Sequence, residues 1–322
     1  MDTSLSFLIT SYLEHLEIEK GRSPHTIRNY DLYLRTFLSW MQQTCGTQSA
    51  ITPADITTEL VRKFRLHLSR RQTDRGTFLN QSTQNYYIIA LRNFLRYLHK
   101  QDIATLAPEK IELARQVRPQ VAVLSLDKLE LLLKAAKPQD PNNLSALRDY
   151  AMLEILFSTG LRVSELTSLN RDKVNTKTRE FVVRGKGNKD RVVFLSQSAA
   201  RALDDYLKKR ADDTQPLFIN HRVQSDTDDT KGEALRLTTR SVQRLMQKYA
   251  RRAGIVEKIT PHTLRHTFAT DLLQSGADLR SVQELLGHAN VQTTQVYTHV
   301  TNKQLKEVHE AFHARRRKRT SD

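Results

Sequence analysis

Apolar residues recur at three- and four-residue spacing through the first hundred positions, as in Leu5, Leu8, Tyr12 and Leu16 and again in Leu60, Phe64 and Leu68. That period lays one apolar stripe along a helix, and little of the stretch alternates as a strand would. "SPHTIRNYDLYLRTFLSW" opens with Ser23 as a capping residue and Pro24 in the first turn, and "STQNYYIIALRNFLRYLHK" reads as another helix. About four helices are expected, forming a small bundle over residues 1–105. From Lys100 to about Val121 the periodicity weakens, and Pro108 and Pro119 flank the basic "EKIELARQVR". Residues 106–121 therefore read as a linker.

Helical spacing returns in "LSLDKLELLLKAA" and in "LSALRDYAMLEILFSTG", which ends at Gly160 as a helix C-cap would. "REFVVRGKGNKDRVVFLS" holds two β-branched runs, Phe181 to Arg184 and Arg191 to Leu195, around a Gly-rich turn, and so predicts a hairpin. "PLFIN" is a candidate third strand. The polar, aspartate-rich stretch from Arg222 to Glu233 reads as a solvent loop, and the remainder as helix ending in the charge run Arg315 to Arg319. No internal repeat is visible. The expected fold class is mainly α with a small antiparallel β-sheet. It comprises a helical N-terminal domain and a mixed α/β C-terminal domain over residues 122–322.

Charge narrows the partner. The 322 residues include 51 Lys and Arg against 35 Asp and Glu, a net charge of +16, which favours a polyanion, nucleic acid first. No apolar run approaches the roughly 18 residues needed to span a bilayer, so no membrane role is expected. The N-terminal "MDTSLSFLITSYLEHLE" is an interrupted amphipathic pattern rather than a leader. The single Cys45 excludes an internal disulfide framework and a Cys-rich zinc site, which fits a reducing cytoplasm.

"HTLRHTFAT" offers the first candidate chemistry. His262 and His266 stand four apart, as metal-binding histidines on one helix face do, but Thr263 occupies the position of the usual catalytic glutamate and Arg265 would set a fixed cation beside the metal. His262 and Arg265, three apart, also share a face, and Pro261 places His262 near free backbone N–H groups at the helix start, a setting that suits an anion. His266 fits equally a buried hydrogen-bonded role and a contact role. Arg162 in "STGLRVSEL" follows a helix-ending glycine, with Glu165 near enough to hold it. It is either a phosphate fork or a surface salt bridge.

Lys186 lies in the hairpin turn "GKGNK", which is neither a phosphate loop nor a dinucleotide fingerprint, since Asp190 takes the last glycine position. His288 follows Gly287, and Tyr297 comes nine residues later. Together these are two arginines, a lysine, two histidines and a tyrosine, without the carboxylate set that glycosidic or metal chemistry uses. A phosphodiester passing through a pentacoordinate state gathers negative charge that arginine and histidine stabilise, while tyrosine suits the nucleophile and lysine the proton donor.

The ordered motifs "TGLRVSEL", "GKGNK", "HTLRHTFAT" and "LLGHANVQTTQVYTHV" resemble the tyrosine recombinases, or phage-type integrases, and most nearly the Xer-type chromosome recombinases. The likeness extends to "GRSPHTIRNYDLYLRTFLSW", which is similar to the start of that family's core-binding domain. The resemblance implies that Arg162 and Arg265 clamp a scissile phosphate and that His288 and His262 add hydrogen bonds. It further implies that Tyr297 attacks to give a 3′-phosphotyrosine, that Lys186 protonates the departing 5′ oxygen, and that Glu165 supports the site. Neither ATP, metal nor other cofactor is implied.

The implied partners are double-stranded DNA carrying a specific recombination site, a homo- or hetero-tetramer on two sites, and a DNA translocase as regulator. The implied location is the cytoplasm, at the nucleoid. "KQLKEVHEAFHA", with Leu305, Val308 and Phe312 on one side, is similar to the helix that docks onto a neighbouring subunit. Arg240 and Arg244, in "RLTTRSVQRLMQ", and Arg28 are candidates for DNA contact. The rival readings are a mobile-element integrase, a noncatalytic DNA-binding protein of the same fold, and a type IB topoisomerase.

Overall fold

Four helices carry the first apolar stripes: α1 (Leu5–Ile18), α2 (Pro24–Cys45), α3 (Thr58–Arg70) and α4 (Gln81–Lys100). The structure is a computed structural model that describes residues 4–45, 51–73, 76–115, 122–185, 190–222 and 231–287. Polar caps start these helices as the sequence suggests. The Ser23 hydroxyl accepts the Thr26 N–H, and the Asn80 side chain accepts the Thr83 N–H at 2.7 Å. Phe37, Phe64, Leu91 and Phe94 interlock at the centre of this unit, each nearly solvent-free.

The chain divides into two units, Met1–Pro119 and Gln120–Asp322. Residues 106–115, read from the sequence as part of a linker, belong instead to the surface of the first unit. Pro108 and Ile111 are buried, Leu106 and Leu113 pack on the core, and the Asn85 amide donates to the Ala114 carbonyl at 2.9 Å. The segment lacks helical period yet holds four apolar anchors, so it docks without being a helix.

In the second unit α5 (Leu126–Ala136), α6 (Leu144–Thr159), α8 (Gln197–Lys209), α9 (Thr239–Arg252) and α10 (Pro261–Gln274) enclose the core, with a short α7 (Val163–Thr167) after α6. Helix α6 is apolar on nearly every side because α5, α8 and α10 all pack on it. The hairpin pairs β1 (Glu180–Arg184) with β2 (Asp190–Phe194) in the register Phe181↔Val193 and Val183↔Arg191. Phe181, Val183 and Val193 face inward, as the period of two requires.

"PLFIN" is not a third strand of this sheet. It makes two isolated bridges, Asn170 to Pro216 and Ile219 to Arg236. Helix α11 (Leu279–Leu286) closes the described part, burying Val282 and Leu286 against Ala269 and Leu273 of α10.

Candidate active site

Two helix C-termini meet at the site. Gly160 ends α6 with a left-handed φ of +60°, and its Cα lies so close to the Phe268 ring that a Cβ would come within 2.5 Å of it. The chain then buries Leu161 and presents Arg162 at the cap of α7. Gly287 ends α11 in the same way, with φ +63°. Carbonyls at such ends carry negative partial charge, and guanidinium groups settle there.

Arg265, on α10 and only 4% exposed, donates from Nη1 to the Gly160 carbonyl and from Nη2 to the Leu286 carbonyl, both at 2.6 Å. It therefore ties α6 to α11. Arg162 is held by Glu165, whose carboxylate accepts the Arg162 backbone N–H at 2.9 Å and its Nη1 at 2.8 Å.

Glu165 is itself buried and receives a second guanidinium, from Arg191 on β2, through Nη1 at 3.0 Å and Nη2 at 2.7 Å. Burial works to raise its carboxyl, but the Arg191 fork, the Arg162 backbone N–H and the Arg162 side chain outweigh it and hold the group at about 2. The pair is thus no surface salt bridge. Three guanidiniums against one carboxylate leave this corner positive.

His262 is the second residue of α10. Desolvation first, then the nearby Arg265 and Arg162 charges, lower its imidazole below the ordinary value, so it is neutral at neutral pH and able to accept a proton. His266, one turn on, is lowered to about 4 by burial, by His262 and by Arg265. Among the described residues no group of three His, Cys, Asp or Glu side chains is placed to hold a metal ion, so this histidine pair lacks a third ligand there.

Two partly buried histidines, His266 and His221, set an acid limit on stability. His266, together with His221 against the Tyr206 hydroxyl, titrates at about 4 when folded and near 6.5 otherwise. Over that interval the unfolded chain binds protons that the folded chain refuses, so stability falls as pH drops through it. The melting temperature is expected to decline steadily from about pH 7 to about pH 4, with a shallower slope in His266→Gln. An equal slope in both proteins would contradict the assignment.

The structure thus brings together Arg162, Glu165, His262 and Arg265, all singled out from sequence. Lys186, His288 and Tyr297 lie outside the described residues, as do Leu305, Val308, Phe312 and the basic tail. Arg240 and Arg244 are exposed on α9, and Arg28 belongs to α2 of the first unit, where it bonds His25. Arg191 escaped sequence reading. Its one signal was parity: it shares the inward side of β2 with Val193, and a charge on a buried parity needs a partner.

The profile of the phage integrase family matches residues 122–304, and that of the phage integrase N-terminal SAM-like domain matches residues 9–102. The chain belongs to the phage integrase family. Among its relatives are the tyrosine recombinase XerC of Thermodesulfovibrio yellowstonii, 36% identical over 97% of both chains, and the tyrosine recombinase XerD of Listeria monocytogenes. The latter is 38% identical over 96% of this chain and 99% of its own.

Of the solved structures, XerA recombinase is 29% identical with a TM-score of 0.51, covering 96% of this chain and 98% of its own. XerH bound to a difH substrate after cleavage shares the fold at 22% identity and a TM-score of 0.68, over 91% and 82%. The protein is a tyrosine recombinase, an enzyme that cleaves and rejoins DNA without ATP or a metal ion. Its work is site-specific recombination. Among the described residues of the recombinase no helix is long and apolar enough to cross a membrane.

Proposed function

We propose that this recombinase cuts one strand at a time by attack of Tyr297 on the scissile phosphorus. The Tyr297 oxygen forms the bond to phosphorus, the bond to the 5′ oxygen breaks, and Lys186 supplies the proton that leaves with it. The result is a 3′-phosphotyrosine and a free 5′-hydroxyl. His262, neutral at working pH, takes the tyrosine proton, and His288 donates to a non-bridging oxygen. A 5′-hydroxyl from a second strand then reverses the step, and the phosphodiester energy is retained throughout.

The observation that carries this reading is the convergence of Arg162 and Arg265 beside His262 at the ends of α6 and α11. A guanidinium has five N–H groups, so bonding helix carbonyls is compatible with receiving a phosphate. Charge on the pentacoordinate phosphorus rises along the reaction, and each preorganised donor is worth about 10²–10³ in rate.

In this reading both units contact a specific duplex, with Arg28, Arg240 and Arg244 on DNA. Four subunits, identical or of two kinds, join two sites, the Leu305, Val308 and Phe312 face docking on a neighbour. The substrate is the chromosome dimer of a cytoplasmic nucleoid, and a DNA translocase governs the step. The +16 charge and the full-length likeness to XerC and XerD support it.

Two labelled duplexes carrying a site selected from a random pool should exchange strands in EDTA without ATP. Relaxation of supercoiled DNA lacking that site, with no exchange, would favour a topoisomerase instead. Lys186→Ala should slow cleavage by about a hundredfold or more. A 5′-phosphorothiolate should restore its rate, because sulfur leaves without a proton. Rescue of Lys189→Ala in its place would reassign the donor.

A further inference from the structure

We propose that Arg191 is a positioning residue of the cleavage reaction, setting Arg162 and the end of α11 from one guanidinium. The inference rests on the reading above, in which Arg162 meets the scissile phosphate. Both oxygens of Glu165 are shared. Oε1 accepts from Nη1 of Arg191 and of Arg162, and Oε2 accepts from Nη2 of Arg191 and the Arg162 backbone. The Arg191 fork therefore fixes the plane of the carboxylate, and that plane fixes where Arg162 points.

The third donor of Arg191 serves another element. Its Nε donates to the Leu285 carbonyl at 3.1 Å, next to the Leu286 carbonyl that Arg265 holds. Its side chain also lies against Gly287, where an added Cβ would stand 2.9 Å from the Arg191 Cδ. Three successive residues, 285 to 287, are thus set by two arginines immediately before His288 in the chain.

Arg191 also sits on β2, the strand that follows Lys186 in the sequence. One side chain joins the hairpin, the first arginine of the clamp and the lead-in to His288. With its side chain only 9% exposed, it acts through these neighbours rather than on DNA.

The fork makes a prediction that charge alone does not. Lysine keeps the charge but offers a single point in place of two parallel donors and a third on another edge of the plane, so Arg191→Lys should fail much as Arg191→Ala does. Single-turnover cleavage is measured on nicked duplexes carrying the selected site, the scissile group being either an ordinary phosphate or an uncharged methylphosphonate. Wild type, Arg162→Ala, Arg191→Ala, Arg191→Lys and Glu165→Gln are compared at full length, each with its melting curve.

Both Arg191 variants should bind duplex with unchanged affinity and cleave the phosphate about a hundredfold more slowly, the size expected for a reacting group displaced by about an ångström. Like Arg162→Ala, they should regain most of that loss on the methylphosphonate, which lacks the charge that Arg162 offsets. Wild-type rates in the Arg191 variants, or an equal loss on both substrates, would overturn the proposal. Should Arg191→Ala fail to fold, Arg191→Lys and Glu165→Gln decide by the same comparison. Charge-independent loss in Arg162→Ala itself would overturn the underlying reading of Arg162, and is seen separately.

Discussion

Arg265→Ala is expected to slow single-turnover cleavage by about a thousandfold or more and to lower the melting temperature of the same protein. The two effects share a cause. Arg265 is almost fully buried, and its two terminal nitrogens bond the carbonyls that end α6 and α11. Alanine leaves both carbonyls without a donor in a region closed to water, at about 1–3 kcal/mol for each buried acceptor. It also removes the charge proposed to offset the phosphate and lets the two helix ends part, so Arg162 loses its place as well. Lysine does not repair this, because one ammonium cannot reach both carbonyls in the plane of a guanidinium. Rapid-quench cleavage and thermal melting check the two halves. A stable variant that cleaves at the wild-type rate would remove Arg265 from the site.

Glu165→Ala should carry the largest stability loss at the site, about 3–5 kcal/mol in urea unfolding. Among the described residues its carboxylate is the one that pairs with both Arg162 and Arg191, and Arg191 is buried almost as deeply. Removing the acid strands a guanidinium out of water, which costs far more than the pair contributes when intact. The sequence left open a surface salt bridge here, and such a pair is worth at most about 1 kcal/mol. A loss of that smaller size would return Glu165 to the surface reading. Protonation makes the same point: since the folded carboxyl titrates at about 2 and an ordinary one near 4.5, its contribution holds at neutral pH and is lost as pH falls from the higher value to the lower.

What was legible in the sequence was local. The cap at Ser23, the stop at Gly160, the pairing of β1 with β2 and the start of α10 at Pro261 each depend on a few nearby residues, and each is present. So is the grouping of Arg162, Glu165, His262 and Arg265, which the ordered motifs carried. Arg191 depends on partners 26 and 94 residues away in sequence, and no local spacing encodes that. The arm at 106–115 was hidden for a related reason: its apolar residues follow no regular period, so the pattern that reveals a helix says nothing of where they dock. "PLFIN" has the composition of a strand, but its bridges go to Asn170 and Arg236 rather than to a sheet edge. His266 is a half-buried imidazole held neutral by burial and by the neighbouring His262 and Arg265.

Tyr297 is expected to become covalently joined to a 3′ phosphate with no metal involved. The most direct measurement incubates full-length wild type and Tyr297→Phe with a nicked duplex carrying the selected site, in EDTA, followed by detergent electrophoresis and peptide mapping. Wild type should give a detergent-stable adduct whose DNA-bearing peptide contains Tyr297, and Tyr297→Phe should give none. An adduct that persists in Tyr297→Phe, or a wild-type protein that binds its site without ever forming one, would contradict the account.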